Sequence, residues 1–79
     1  MRIINRDVLA AVSDSVSASN PTWKSDASKL MSQGRTFVVI RWESGFHAES
    51  SIALASEFDY EVLLQPKQQR AFFLRKEPN

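Results

Sequence analysis

Apolar residues fall on both alternating faces of one run, Arg35 to Trp42 (RTFVVIRW), near the middle of the chain. Thr36, Val38, Ile40 and Trp42 point one way, and Arg35, Phe37, Val39 and Arg41 point the other. The β-branched and aromatic types predict a strand that starts after Gly34 and stops at Glu43-Ser44-Gly45. A strand with one fully solvated face does not need apolar residues on both sides.

Upstream, Val8, Leu9, Val12 and Val16 recur at helical spacing behind Asn5, a good N-cap, with Asp7 in the first turn. The spacing predicts a helix over about 6–17. Ser13, Asp14, Ser15 and Ser17 are poor helix formers, and alternation through Val12, Asp14 and Val16 also permits a strand. Asn20-Pro21 predicts a second helix over about 21–33, with Trp23, Ala27, Leu30 and Met31 on one face and Gly34 as the left-handed stop. A third helix is expected over about 46–58, with Ser44 as candidate N-cap and Asp59 closing it. Tyr60 to Gln65 (YEVLLQ) and Arg70 to Arg75 (RAFFLR) read as two strands of a hairpin around Pro66-Lys67-Gln68-Gln69. Residues 1–4 read as an arm or short edge strand, and 77–79 as a frayed tail.

The order is α-α-β-α-β-β. It predicts a small α/β (α+β) two-layer sandwich, a single domain over 1–79, with a three- to four-stranded sheet and helices mainly on one face. If the helices cover Val38, Ile40 and Trp42, strict alternation puts Tyr60, Val62, Leu64, Phe72 and Leu74 with them. The other face then carries Phe37, Val39, Leu63 and Phe73 at its centre, with Arg41 and Arg75 at its border. Aromatics and arginines on an open apolar face are interface types. Three readings follow for that face: core beneath the first helix, a surface for a protein partner or a second copy, or a platform for stacking RNA bases.

Composition narrows the chemistry. Seventy-nine residues build a small core, and without cysteine neither disulfides nor thiolate chemistry can supplement it. That usage fits a reducing cytoplasm. Net charge is +1, unlike a dedicated duplex-DNA binder. Lys67, Arg70, Arg75 and Lys76 nevertheless cluster around Phe72 and Phe73, a pattern used to hold single strands by charge and stacking. His47 is the only histidine, with no Gly-x-Ser-x-Gly elbow, no phosphate loop and no metal-ligand spacing. No apolar run is long enough to span a bilayer, and the N-terminus lacks a secretory pattern.

From Pro21 onward the layout resembles the TusA/SirA sulfur-carrier family, which has a helix, a Gly, an apolar strand, a second helix and a hairpin ending in basic residues. The resemblance rests on Gly34-Arg35-Thr36-Phe37-Val38-Val39-Ile40, Tyr60-Glu61-Val62 and Phe72-Phe73-Leu74-Arg75-Lys76. It implies a small two-layer α/β fold. The family's Cys-Pro-x-Pro motif is replaced here by Asn20-Pro21-Thr22-Trp23, so the resemblance implies at most a carrier fold without sulfur transfer.

The sequence therefore points to a non-enzymatic binding module, an accessory or inhibitor-type protein, with no cofactor, metal, membrane or small-molecule substrate. Its candidate protein-binding residues are Phe37, Val39, Arg41, Leu63, Phe73 and Arg75. The alternative is a single-stranded nucleic-acid binder using Lys67, Arg70, Arg75 and Lys76.

Overall fold

A computed structural model describes residues 5–43 and 48–76. The arm and tail, and both Ser44 and His47, lie outside the described residues. The first helix, α1, is Arg6–Val12, and Asn5 caps it as expected: its Oδ1 accepts from the amides of Asp7 at 2.9 Å and Val8 at 3.2 Å. The helix is shorter than the periodicity suggested. Ser13 turns back, its hydroxyl donating to the Leu9 carbonyl at 2.7 Å, and the chain then extends as β1, Asp14–Ser17. Serine and aspartate compete with helical hydrogen bonding through their own side chains, so the alternating reading wins in this segment.

The second helix, α2, is Trp23–Ser32. Asn20 organises a turn ahead of it rather than capping it, accepting from the amide and hydroxyl of Thr22. At the other end Gly34 has φ +79°, its amide reaches the Met31 carbonyl, and the Arg35 amide reaches Leu30. These two bonds make a Schellman stop, which needs a residue at ease in the left-handed region. Next come β2, Phe37–Arg41, and α3, Glu49–Glu57; Asp59, at φ 62°, ends the turn after α3. The hairpin is β3, Tyr60–Gln65, a short 3₁₀ turn at Pro66–Gln68, and β4, Arg70–Arg75.

The expected α/β class and the order of its elements stand, with β1 added, giving three helices and a four-stranded mixed sheet. The strand order is β1-β2-β4-β3. β1 runs parallel to β2, and β4 runs antiparallel to both β2 and β3. β2 and β3 are therefore parallel but not neighbours: the last strand is inserted between them.

Two helices cover one face and one covers the other. On the inner face, Ala27 and Met31 of α2 and Ala55 of α3 pack on Val16, Val38, Ile40, Tyr60, Ala71 and Phe73, with Trp23 and Trp42 half-buried against them. On the outer face, Leu9 of α1 packs on Val39 and Phe72, with Phe37, Leu63 and Leu74 half-buried around it.

β4 reverses its expected faces. Val38 stands opposite Phe73, and Val39 opposite Phe72. Directly opposed residues in an antiparallel pair share a face, so Phe73 is inner core, while Phe72 and Leu74 lie outside. A one-residue shift in register flips every side chain, and RAFFLR offers a phenylalanine to either face. Only pairing to β2 decides between them.

Candidate functional site

Four of the six candidate residues share the outer face: Phe37, Val39 and Arg41 alternate along β2, and Leu63 joins them from β3. Phe73 is fully buried on the inner face. Arg75 also leaves the set. It stands opposite Tyr60 at the far end of β4, and its Nη1 donates to the Gly34 carbonyl at 2.9 Å. Val39 is not open either, because Leu9 roofs it. A short amphipathic helix was enough to convert the centre of the patch into a small core.

What remains accessible is the border of that core. Val8 and Val12, one turn apart on α1, are 59% and 60% exposed. Sequence periodicity placed both in a buried stripe with Leu9. Seven residues make only two turns, and the buried contact reduces to Leu9 and a half-buried Ala10. The i, i+4 spacing was the available signal for a second apolar stripe on α1. Beside Val12, a groove of about 640 Å³ is also lined by Asp14, Gln33, Gly34, Arg35 and Phe37. Arg35 and Asp14 approach to 3.8 Å within it, an exposed pair that contributes little.

At the opposite end of the same face, Arg41 and Arg70 stand directly across from each other on β2 and β4. Like charges in that position repel by roughly 0.2–1 kcal/mol. Arg70 is held: its Nε donates to Gln65 Oε1 at 2.6 Å, and its guanidinium lies 5.0 Å from the centroid of the Phe72 ring. Arg41 is exposed.

The four basic residues of the alternative site are not brought together. Lys67 and Arg70 sit at the hairpin-turn end, while Arg75 and Lys76 sit at the other, roughly 17 Å along the strand. Lys76 faces Asp59 at 3.8 Å. The rings of Phe72 and Phe73 are both fully buried, so neither presents a face to a base.

Burial raises the Tyr60 phenol above its ordinary value, and the positive charge of Arg75 partly offsets this. Its hydroxyl donates to the Arg35 carbonyl, with the Met31 carbonyl 3.4 Å away. This hydrogen bond ties β3 to the α2–β2 junction and is structural. Among the described residues no group of three or more His, Cys, Asp or Glu side chains could hold a metal ion, and no helix is long and apolar enough to cross a membrane. No family model, curated protein or solved structure matches the chain.

Proposed function

We propose that this chain is a small non-enzymatic binding module, of accessory or inhibitor type, that docks on another protein through α1 and the border of the outer sheet face. The observation that carries this reading is one surface with exposed Val8 and Val12, half-buried Phe37, and the opposed arginines 41 and 70. Apolar side chains supply area that is dehydrated on contact, and Arg is enriched at interface centres. The facing guanidiniums select a partner with a carboxylate between them, which turns a repulsion into two charge-assisted hydrogen bonds. The absence of cysteine from the sequence favours the cytoplasm as its place of action.

The test is capture from host lysate with a photo-crosslinker at position 12 or 41, compared with position 24 on α2. A partner crosslinked from 12 and 41 but not 24, and lost in Val12→Asp and Arg41→Glu, is the expected result. Identical crosslinks from all three positions, or capture unaffected by both substitutions, overturn it.

A further inference from the structure

The two edges of the sheet are built differently. β1 has four residues, three of them polar (Asp14, Ser15 and Ser17), and a short polar edge pairs poorly with other chains. β3 has six residues, and Tyr60, Val62, Leu63 and Leu64 make it apolar on both faces. It carries no Lys, Arg or Pro within its span, and its register with β4 runs unbroken from Tyr60–Arg75 to Gln65–Arg70. Of the usual devices that blunt an edge strand it holds one charge, Glu61, and no Lys, Pro or bulge.

The direction of its free main-chain groups follows from the ladder. The Lys76 amide donates to the Asp59 carbonyl at 3.3 Å, extending the β3–β4 pairing by one residue pair. Antiparallel pairs alternate between hydrogen-bonded and non-hydrogen-bonded, so Glu61, Leu63 and Gln65 turn their main-chain groups to β4. Tyr60, Val62 and Leu64 turn theirs outward. Alongside this edge, under α3, runs a groove of about 450 Å³ lined by Ile52, Ser56, Val62 and Leu64, among others. Ile52 is 45% exposed there, although it belongs to a helix that otherwise packs on the sheet.

We infer that β3 pairs antiparallel with β3 of a second copy of this chain, making one continuous eight-stranded sheet across a two-fold axis. A two-fold perpendicular to the sheet opposes only residues of the same face, which leaves few registers. One of them sets Glu61 against Glu61 and is repulsive. The register centred on Leu63 sets Leu63 against Leu63, Val62 against Leu64, and Glu61 against Gln65. In it the Glu61 carboxylate meets the Gln65 amide of the other copy, next to the Arg70 guanidinium that already holds Gln65. The charges are complementary, and the groove beside α3, lined by Ile52, Val62 and Leu64 with Ser56, Glu61 and Lys76 at its border, closes against its symmetry mate around Ile52. This contact uses the sheet edge and shares only Arg70 with the outer-face docking proposed above.

Sedimentation equilibrium of the full chain over a concentration series tests it. The wild type dimerises reversibly. Val62→Pro removes an outward N–H that the β4 ladder does not use, at the expense of part of the Val62 packing, and weakens the dimer roughly tenfold. Gln65→Glu sets carboxylates against each other at two symmetric contacts and weakens it roughly threefold to tenfold, while Arg70 keeps an acceptor within the monomer. Adding Glu61→Lys to Gln65→Glu restores association, a rescue that only this register gives. Hydrogen exchange at the Val62 and Leu64 amides slows as concentration rises. A chain monomeric at millimolar concentration overturns the proposal, as does a dimer indifferent to both Gln65→Glu and the compensating pair. If Val62→Pro fails to fold by circular dichroism, the charge-swap pair and the exchange data decide.

Discussion

The two faces of this sheet are both apolar, but they are buried to different depths by different means. The inner face lies under α2 and α3, and its largest fully buried side chain, Phe73, is completely enclosed. The outer face lies under seven residues of α1, whose one buried side chain, Leu9, seals Val39 and Phe72 and leaves Phe37, Leu63 and Leu74 half-covered. The inner layer therefore supplies most of the stability. The outer layer is thin enough for its border to be used as a surface. Such a division suits a chain this small, where a core of limited size is supplemented by neither disulfide nor cysteine-bound metal.

Removing the inner anchor is the hardest blow to that asymmetry. Phe73→Ala costs about 3–5 kcal/mol, comparable to the whole margin of a domain of this size, and no cooperative thermal transition is expected by circular dichroism. A variant that melts like the wild type contradicts the inner placement of Phe73. Leu9→Ala is milder, about 2–3 kcal/mol in a urea titration, because α1 is partly solvated and its site collapses readily. Its native tryptophan emission stays unchanged, since Trp23 and Trp42 both pack on the inner layer. A shifted emission maximum in that variant shows that the two layers are coupled.

Two buried hydroxyls then sharpen the comparison with opposite signs. Tyr60→Phe loses the bond to the Arg35 carbonyl and costs about 1 kcal/mol at neutral pH. The Tyr60 phenol is raised from 10.0, so the folded state holds its proton more tightly than the unfolded state. That contribution is complete below pH 10 and is lost as pH climbs through the raised value. Urea midpoints of wild type and Tyr60→Phe should therefore converge in alkali, and a constant gap contradicts the burial of the phenol. Ser51, fully buried in α3 with its Oγ unpartnered, behaves the other way. Ser51→Ala raises the melting temperature, by a free energy of about 1 kcal/mol, because it removes an unsatisfied group. A lower melting temperature indicates that the hydroxyl has an acceptor.

The smallest effects belong to the exposed stripe of α1. Val8→Ser and Val12→Ser each change stability by no more than about 0.5 kcal/mol in the same urea assay. A larger loss at either position moves it into the outer core and shrinks the docking surface.

The strands and helices were legible because their signals are local. Gly34 after α2, the alternation through Phe37 to Arg41, and the Asn5 cap act within a few residues of themselves. What escaped depended on pairing. Phe72 and Phe73 are chemically identical neighbours, and nothing short of β4's register against Val38 and Val39 says which ring faces the helices. The same ambiguity put Phe73 and Arg75 in the candidate docking face. Phe37, Arg41 and Leu63 do share the outer face, as the period-2 reading of β2 and β3 had it. Val12 was misjudged for a different reason: helix length sets how wide a buried face is, and Ser13 ended α1 before a second buried turn could form.

The insertion of β4 between β2 and β3 also dictates when the fold can form during synthesis. Every hydrogen bond that joins β3 to the rest of the sheet passes through residues 70–76. A nascent chain that has emerged only as far as Gln65 contains both β1 and β2, which pair with each other in the fold, but no strand for β3 to pair with. Until Arg75 has left the ribosome and reached the Gly34 carbonyl, the apolar side chains of β2 and β3 lack their central neighbour. Completion of the sheet thus waits for β4, the last strand in the chain order, because it alone joins β2 to β3.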